Sequence, residues 1–453
     1  MARELKKDAL GLVHSVALGV AGSSPSFSLS ATLSTLIAAV GVLAPASLVY
    51  CGLIMTGIVL AYQHLNARDP NAGAAYAWGS AILGRVPGFM AGWALLVATA
   101  VFMVSATIPA GSATLMLAAP DLADNQVAVT ACAAAWVVLI TVILVKGISL
   151  AGWVQSIMTA VEIAIMIALT LAALVKFGPQ SVHHLSWHDL SPFAFSPGAF
   201  ASGAVIALFF FWGWDVSLNL SEETRDADKA PGLGALAAIL ALILLFGGFA
   251  AVSLMVLDDE EIKQSVTSIV FATADKVFPR PWSYLAVLAL MLSTIGTLQC
   301  NMLQFTRTMF ALSRDGALHG RWSVLHKSWR TPYIATVLIG ALGLLLLFAS
   351  IGSQGIAAVM SASINIIGVL AAYYYGIAGL ACAIAYRSAL RESPIAAFSK
   401  VIWPALSAFA LFWAGMRVME DFDRITTLIA IGSMALGAVP MVRHRRRQAI
   451  AAE

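Results

Sequence analysis

Long apolar stretches separated by short polar segments run along almost the whole chain. A helix that crosses the hydrocarbon core of a bilayer needs about 20 apolar residues, so the uncharged stretches can be divided into spans. This division predicts an all-α polytopic membrane protein with twelve transmembrane helices. The predicted spans are two within 9–67 that divide at 41–45, then 86–120, 126–145, 149–175, 197–222, 232–257, 281–313, two within 331–386 that divide at 350–355, 402–416 and 425–441. Two connections, 258–278 and 318–329, are predicted surface helices.

The sixth predicted span carries a carboxylate where a membrane helix ordinarily has none. Residues 209–215 read Phe-Phe-Phe-Trp-Gly-Trp-Asp, so Asp215 follows Gly213 by two positions. A charged side chain near the bilayer centre costs about 3 kcal/mol on insertion scales. That cost is tolerable when the helix breaks and the side chain faces a cavity lined by protein. The pattern favours a helix broken at Gly213, and a continuous helix with a satisfied Asp at a kink is the alternative.

The first predicted span is interrupted as well. Residues 19–28 read Gly-Val-Ala-Gly-Ser-Ser-Pro-Ser-Phe-Ser, in which proline lacks a backbone donor and glycine tolerates unwound backbone. Interrupted helices in corresponding positions are typical of transporters built from inverted repeats. We therefore expect one transmembrane domain over 1–453, with repeats of five helices at 11–176 and 197–386 and two further helices within 400–442. Packing and kinking are the alternative roles of Gly, Ser and Pro in such helices.

Unwound backbone at the two breaks supplies hydrogen-bonding groups for a small substrate. Amides that open the second half-helix can hold a carboxylate, and carbonyls that end the first half can hold an amine or a cation. The aromatic side chains near the second break either cover the substrate or pack against lipid and core. The candidate substrate-binding residues are Ala21, Gly22, Ser23, Ser24, Pro25, Ser26, Phe211, Trp212, Gly213, Trp214, Asp215 and Asn301.

Two further spans carry polar side chains on a single helical face. The two stripes are Gln155, Thr159 and Glu162 in span five, and Ser293, Thr297, Asn301 and Gln304 in span eight. Such stripes can also hold neighbouring helices together, and each hydrogen bond between helices then contributes about 0.6 kcal/mol to stability. Glu162 is too costly for that role alone, because ionisable side chains within the bilayer are expensive. Three roles stay open for it: carrying a coupling proton, anchoring a cationic substrate, or a structural glutamate neutralised by a partner helix.

Composition and charge agree with a membrane protein. The 453 residues are 60% hydrophobic and 11% charged, with a mean hydropathy of +0.88, whereas soluble domains are about 25% charged. With both termini in the cytoplasm, most of the 26 Lys and Arg residues fall on the cytoplasmic side. We expect a multi-pass protein of the plasma membrane, which in a bacterium is the inner membrane. The first span is expected to be an anchor, because no small-residue cleavage site follows it.

The sequence predicts few partners. The four cysteines lie within apolar stretches, where cysteine acts as a small hydrophobe, so we expect no disulfide framework, metal site or cofactor. The net charge of +3 is accounted for by topology, and no nucleic-acid partner is expected. The lipid bilayer, a small-molecule substrate and H⁺ are the predicted partners, and the oligomeric state is left open.

Several short motifs occur in a fixed order along the chain. They are Gly22-Ser23, then Asp-Pro-Asn-Ala-Gly-Ala-Ala-Tyr at 69–76, Gly88-Phe89, Gly92-Trp93, the segment from Gly213-Trp214-Asp215 through Glu222-Glu223 to Pro231, and 307–316. In their order and spacing the chain resembles the amino acid–polyamine–organocation superfamily of secondary transporters, over essentially its whole length. The resemblance implies alternating access, a substrate bound at the breaks of spans one and six, and proton coupling or exchange.

Two departures from the superfamily's pattern bear on the substrate. The first break commonly reads Gly-Ser-Gly there, whereas this chain has Ser24 followed by Pro25, which crowds the amides expected to hold an α-carboxylate. Many proton-coupled relatives carry a lysine in span five, whereas Glu162 here reverses the sign of the charge. An anionic site of this kind favours an amine or polyamine over an α-amino acid.

These features predict a secondary-active permease that imports a small amino acid or organic amine, coupled to H⁺. The alternatives are a substrate exchanger, or a sodium-coupled permease that uses Ser293, Thr294 and Thr297 with carbonyls of span one. A membrane-embedded enzyme is less favoured, because the sequence has no Gly-x-Ser-x-Gly motif, no His-Glu-x-x-His motif and no intramembrane Asp pair. A channel is less favoured because no ring of repeated filter residues is indicated.

Overall fold

The computed structural model describes residues 4–265, 267–352, 356–420 and 422–441, and within them the protein is built from α-helices. The first nine helices are α1 Leu12–Gly22, α2 Pro25–Val40, α3 Ala44–Arg68, α4 Ala75–Ile82, α5 Arg85–Ala118, α6 Gln126–Lys146, α7 Ile148–Phe177, α8 Pro197–Phe210 and α9 Val216–Asn219. The others are α10 Ala230–Val256, α11 Asp259–Gln264, α12 Ile269–Val277, α13 Leu285–Arg314, α14 Tyr333–Ala349, α15 Ile356–Ala385, α16 Pro394–Ala397, α17 Trp403–Glu420 and α18 Arg424–Leu436.

Within the described residues, nine helical stretches are long and apolar enough to cross a bilayer. The first of them, Leu12–Arg68, covers 57 residues and contains α1, α2 and α3. Gly198–Phe210 and Tyr333–Ala349 are shorter apolar helices. These stretches indicate a multi-pass membrane protein, while the count of twelve spans and the inverted repeat remain predictions.

Both predicted helix breaks are present in the structure. α1 ends at Gly22 and α2 begins at Pro25, and α8 ends at Phe210 while α9 begins at Val216. The halves on either side of each break lie in the interior of the bundle, where α1 packs against α7 and α10 and α9 packs against α13. The unwound segments are therefore enclosed by protein, as unwound backbone at membrane depth requires.

The most polar of the long helices, α13, lies at the centre of the bundle. It packs against α1, α2, α5, α7 and α9, and its predicted stripe is buried. The stripe of α7 is buried as well, on the side that faces α1 and α13. Both stripes therefore face other helices of the protein instead of lipid.

The connections between the long helices differ from the predictions. The helix predicted at 318–329 is wrong, because that segment has only a short 3₁₀ turn at Gly320–Ser323. Ring nitrogens of His319 and His326 accept nearby backbone N–H groups, which favours turns over a continuous helix. The segment 258–278 forms two short helices, α11 and α12, instead of one. The helix α4 was not predicted.

Candidate functional site

The first break follows from the position of a single proline. Pro25 has no N–H to donate to the Ala21 carbonyl, so the amides of Ser23 and Ser24 close tight turns onto Val20 and Ala21 instead. Ser24 adopts a left-handed conformation with φ of +45°, which costs roughly 1–2 kcal/mol for a residue other than glycine. The chain then restarts as α2, whose first N–H groups point back into the bundle.

The second break is built around Gly213. Its φ of +100° lies where glycine is favoured over residues with a side chain. The Gly213 N–H donates to the Tyr375 hydroxyl at 3.1 Å, so the unwound backbone is held by α15. On either side, Trp212 and Trp214 are buried.

The two breaks touch each other. A Cβ atom placed on Gly22 would overlap the carbonyl of Gly213, and one placed on Gly213 would overlap the carbonyl of Gly22. The Gly22 carbonyl also accepts a hydrogen bond from the Thr297 hydroxyl of α13 at 3.1 Å. Two segments about 190 residues apart in sequence thus form one unwound centre, and only glycine fits at the contact.

Glu162 of α7 reaches the first break. Its Oε1 accepts the backbone N–H of Ser26 at 3.0 Å, and the side chain is 1% exposed. The next amide, that of Phe27, donates to the Ser293 hydroxyl oxygen at 3.2 Å. A helix N-terminus attracts negative charge, and here that charge comes from the protein's own carboxylate.

Asp215 lies at the second break among tyrosines. Its Oδ1 accepts a hydrogen bond from Tyr375 at 2.7 Å, whereas its Oδ2 accepts none from any described residue. The Trp214 ring stacks on Tyr375, with centroids 5.3 Å apart. The Trp212 indole N–H donates to Tyr374 at 2.8 Å. Neither Asp215 nor Glu162 takes part in any ion pair found within the described residues.

The other candidate residues have mixed surroundings. The hydroxyls of Ser23 and Ser26 are buried and have no partner in the part of the chain that the structure describes. Asn301 donates to the Thr99 carbonyl at 2.7 Å, and its side-chain oxygen has no partner there either. Phe211 is buried and packs on Phe246 of α10. Ala21 and Pro25 are buried within the backbone turn.

Sequence reasoning missed Tyr62, Tyr374 and Tyr375. All three are buried, and the ring of Tyr375 contacts those of both Tyr62 and Tyr374. The available signal was three consecutive tyrosines at 373–375 in an otherwise apolar span. A tyrosine within a membrane helix needs a partner for its hydroxyl. The Tyr375 hydroxyl donates to Asp215 and accepts from the Gly213 amide.

A cavity lies on one face of the bundle and reaches Phe27, just after the first break. Its volume is about 750 Å³, and it lies between α2, α5, α12 and α13. Phe27 lines it and contacts Phe102, which in turn contacts Trp212. An aromatic chain therefore separates this cavity from the unwound centre.

The opposite face is closed by ion pairs. Arg307 donates two hydrogen bonds to Glu223, at 2.8 and 3.0 Å, and both side chains are buried. Nearer the surface, Arg314 pairs with Glu222 at 2.9 Å. The N-terminal segment covers them, because the amides of Ala9 and Leu10 donate to the Glu223 carbonyl.

The hydroxyls considered for sodium are engaged within the protein. Thr294 donates to carbonyls of its own helix, those of Leu290 and Met291. Thr297 donates to Gly22, and Ser293 accepts from Phe27. Hydroxyls that donate keep the lone pairs that a cation would bind, so the sodium-coupled alternative stays open.

Comparison with known proteins gives consistent matches. The model of a family described as amino acid permease matches residues 10–435. The chain is 25% identical over 321 residues to the branched-chain amino acid permease of Bacillus subtilis (strain 168), covering 66% of each protein. It is 27% identical over 300 residues to the low-affinity putrescine importer of Escherichia coli (strain K12), covering 63% of each.

A plant protein is similar as well. The chain is 26% identical over 297 residues to the vacuolar cationic amino acid transporter 2 of Arabidopsis thaliana, covering 62% of this chain and 45% of that protein. The chain thus spans 45% to 66% of the length of these three relatives. The relatives are named as transporters of small amines and amino acids.

Proposed function

Because the chain belongs to the amino acid permease family, we propose that it is a secondary-active permease for a small amino acid or organic amine, working by alternating access. The family match also confirms the resemblance to the amino acid–polyamine–organocation superfamily. The relatives are named for branched-chain amino acids, cationic amino acids and putrescine, which supports this range of substrates. They are permeases and transporters, and this favours transport over catalysis.

The proposed architecture has twelve spans and places both termini in the cytoplasm. The proposed location is the plasma membrane, which in a bacterium is the inner membrane. Repeats at 11–176 and 197–386 would place the two broken helices at corresponding positions, and 400–442 would add the last two spans. The direct contact between Gly22 and Gly213 supports this arrangement, because related half-helices are expected to meet at the repeat interface.

The proposed substrate site is the unwound centre between the breaks. The observation that carries this proposal is the contact of the two breaks beside two buried carboxylates, Glu162 and Asp215. A buried carboxylate that no basic side chain pairs needs a proton or a bound cation. Asp215 Oδ2 is buried and makes no hydrogen bond with a described residue, so a substrate ammonium group would supply its missing partner. Trp212 lies between this centre and the cavity.

The described conformation corresponds to a state open on the face away from the N-terminus. That face has the cavity above Phe27, whereas the opposite face has the buried pair of Glu223 and Arg307. With the predicted topology, the cavity opens to the outside and the ion pair closes the path to the cytoplasm. Transport then requires that Phe27 and its aromatic neighbours close over the substrate before the pair separates.

Glu162 is the proposed proton carrier. It joins α7 to the first amide of α2, so movement of either half of the broken helix changes its hydrogen bonding and its contact with water. Such a change alters the proton affinity of a carboxylate, as coupling requires. Anchoring of a cation by Glu162 is the competing role, and the two roles give different phenotypes on substitution by Gln.

A flux assay tests the proposed function. Purified protein in proteoliposomes is tested with a panel of amino acids and amines, with and without a pH gradient, against liposomes that lack protein. The proposal expects saturable uptake of at least one class of compound, and accumulation that increases when the outside is more acidic. Uptake that ignores the pH gradient would contradict proton coupling, and the absence of any saturable flux would contradict transport.

A further inference from the structure

Every backbone donor at the first break has an acceptor in the protein. The amides of Ser23 and Ser24 donate to carbonyls of α1, and Pro25 has no N–H. The amide of Ser26 donates to Glu162 and that of Phe27 to Ser293. From Ser28 onward the amides make regular helical bonds, beginning with Ser28 to Ser24.

This pairing leaves no backbone amide for the carboxylate of a substrate, and the donors at the break that have no partner among the described residues are neutral, the hydroxyls of Ser23 and Ser26. A carboxylate taken from water into a buried site needs charge-assisted hydrogen bonds to offset its lost hydration. To reach the Ser26 amide it would have to displace the carboxylate of Glu162, which would then lie buried without its own partner. Two carboxylates side by side would also repel one another.

The charge of the centre points to the same class of substrate. Glu162 and Asp215 are both at most 1% exposed, and no Lys or Arg of the described residues forms an ion pair with either of them. One positive charge carried on a substrate, together with one proton, balances two carboxylates. A neutral α-amino acid such as leucine would add one negative charge with its positive one and would leave the centre unbalanced. Lysine and ornithine carry one net positive charge, so for them the paired amides of the first break are the distinguishing feature.

We propose that the substrate is an organic amine without an α-carboxylate, and that Glu162 occupies at the Ser26 amide the place that a substrate carboxylate would take. The proposal rests on the proposed function of the same site. The ammonium group of the amine binds the unwound centre near Asp215 Oδ2, where a carboxylate oxygen has no other partner among the described residues. The carbon skeleton of the amine faces Trp212.

Matched pairs of compounds test the proposal in wild-type protein. Each pair consists of an amino acid and the amine formed from it by loss of CO₂: lysine with cadaverine, ornithine with putrescine, and leucine with isoamylamine. In proteoliposomes we expect the amine of at least one pair to be taken up at least ten times faster than its amino acid. Uptake of amino acids at equal or higher rates would overturn the proposal while leaving the permease function intact. Uptake of neither class would contradict the permease function and this proposal together.

Two variants of Glu162 distinguish the effect of occupying the Ser26 amide from the effect of the negative charge of Glu162. In Glu162→Ala the Ser26 N–H loses its acceptor, so an amino acid carboxylate can bind there. In Glu162→Gln the side-chain carbonyl still accepts from Ser26, so the site stays filled although the charge is gone. Binding is measured by thermal shift in detergent with the same pairs, which does not depend on coupling.

The expected result is a gain in amino acid affinity, relative to the paired amine, of at least tenfold in Glu162→Ala and no such gain in Glu162→Gln. An Ala variant with wild-type preference would overturn the proposal, as would an equal gain in both variants. If the Ala variant does not fold, the same comparison is made with Glu162→Ser, whose hydroxyl is too short to reach the Ser26 amide from α7. The wild-type pairs test the proposal independently of all variants.

Discussion

Gly22 and Gly213 touch through their backbones, and neither residue has room for a Cβ atom. Gly22 ends the first half of one broken helix, and Gly213 lies in the unwound segment of the other, so their contact joins the two breaks into one centre. The contact explains why a glycine stands at each position, since a side chain on either would push the two helices apart. The proposed substrate site therefore requires that the backbones of Gly22 and Gly213 stay in contact.

Substitution of Gly22 by Ala should therefore disrupt the centre. The added methyl group overlaps the Gly213 carbonyl, and overpacking of this kind typically costs about 1–3 kcal/mol. We expect a melting temperature several degrees lower and loss of substrate binding, measured by thermal-shift titration. Gly432→Ala is the matched control, because Gly432 lies in α18 with open space around it. Wild-type affinity in Gly22→Ala would place the substrate elsewhere.

Replacement of Tyr375 by Phe should weaken substrate binding without removing a charge. The hydroxyl of Tyr375 donates to Asp215 and accepts from the Gly213 amide, and a buried polar group without its partner costs about 1–3 kcal/mol. We expect KM for uptake to rise about tenfold. Tyr373→Phe is the control, because the Tyr373 hydroxyl has only a long contact of 3.5 Å with Pro87. Equal KM values in the two variants would argue against a role for Asp215 in binding.

Trp212 should affect selectivity as well as affinity. It lies between Phe102 and Tyr374, at the end of the aromatic chain that begins at the cavity. We expect Trp212→Ala to raise KM about tenfold and to admit larger amines in competition assays. Trp187→Ala, in an exposed connection, should change neither quantity. Loss of expression in Trp212→Ala, with selectivity unchanged in the protein that remains, would assign it to packing alone.

The pair of Glu223 and Arg307 should control access from the face that carries the N-terminus. Removal of one partner of a buried pair typically costs about 3–5 kcal/mol, because the other charge is left unpaired. We expect Glu223→Gln to lower the melting temperature and to speed thiol labelling of a reporter cysteine at buried Ser221 about tenfold. The control is Glu420→Gln, which breaks an exposed pair with Arg417. Unchanged labelling would mean that this pair does not hold the face closed.

Both helix breaks could be predicted from the sequence, because their causes are local. Pro25 removes a donor and Gly213 permits a positive φ, whatever surrounds them. The buried stripe containing Glu162 was also predictable, since spacing of three and four residues fixes a helical face. The length of each apolar stretch set the helix boundaries to within a few residues.

The partners across the centre could not be predicted in this way. The bond between Glu162 and Ser26 joins residues 136 positions apart, and the bond between Tyr375 and Asp215 joins residues 160 positions apart. Such contacts depend on how the helices pack, which periodicity does not specify. The wrong helix at 318–329 has a different cause, because histidine rings there accept backbone donors that a helix would use.

The proton-carrying role of Glu162 is the central claim, and Glu162→Gln tests it most directly. The variant keeps the acceptor for the Ser26 amide but cannot exchange a proton, so substrate binding should survive while coupling is lost. Glu260→Gln, at an exposed position of α11, is the control. The measurement compares counterflow exchange with uptake driven by a pH gradient, in proteoliposomes whose membrane potential is clamped. The account predicts that exchange in Glu162→Gln persists and that accumulation no longer follows the pH gradient. A variant that still accumulates substrate with the wild-type dependence on the gradient, or that loses exchange as well, would contradict it.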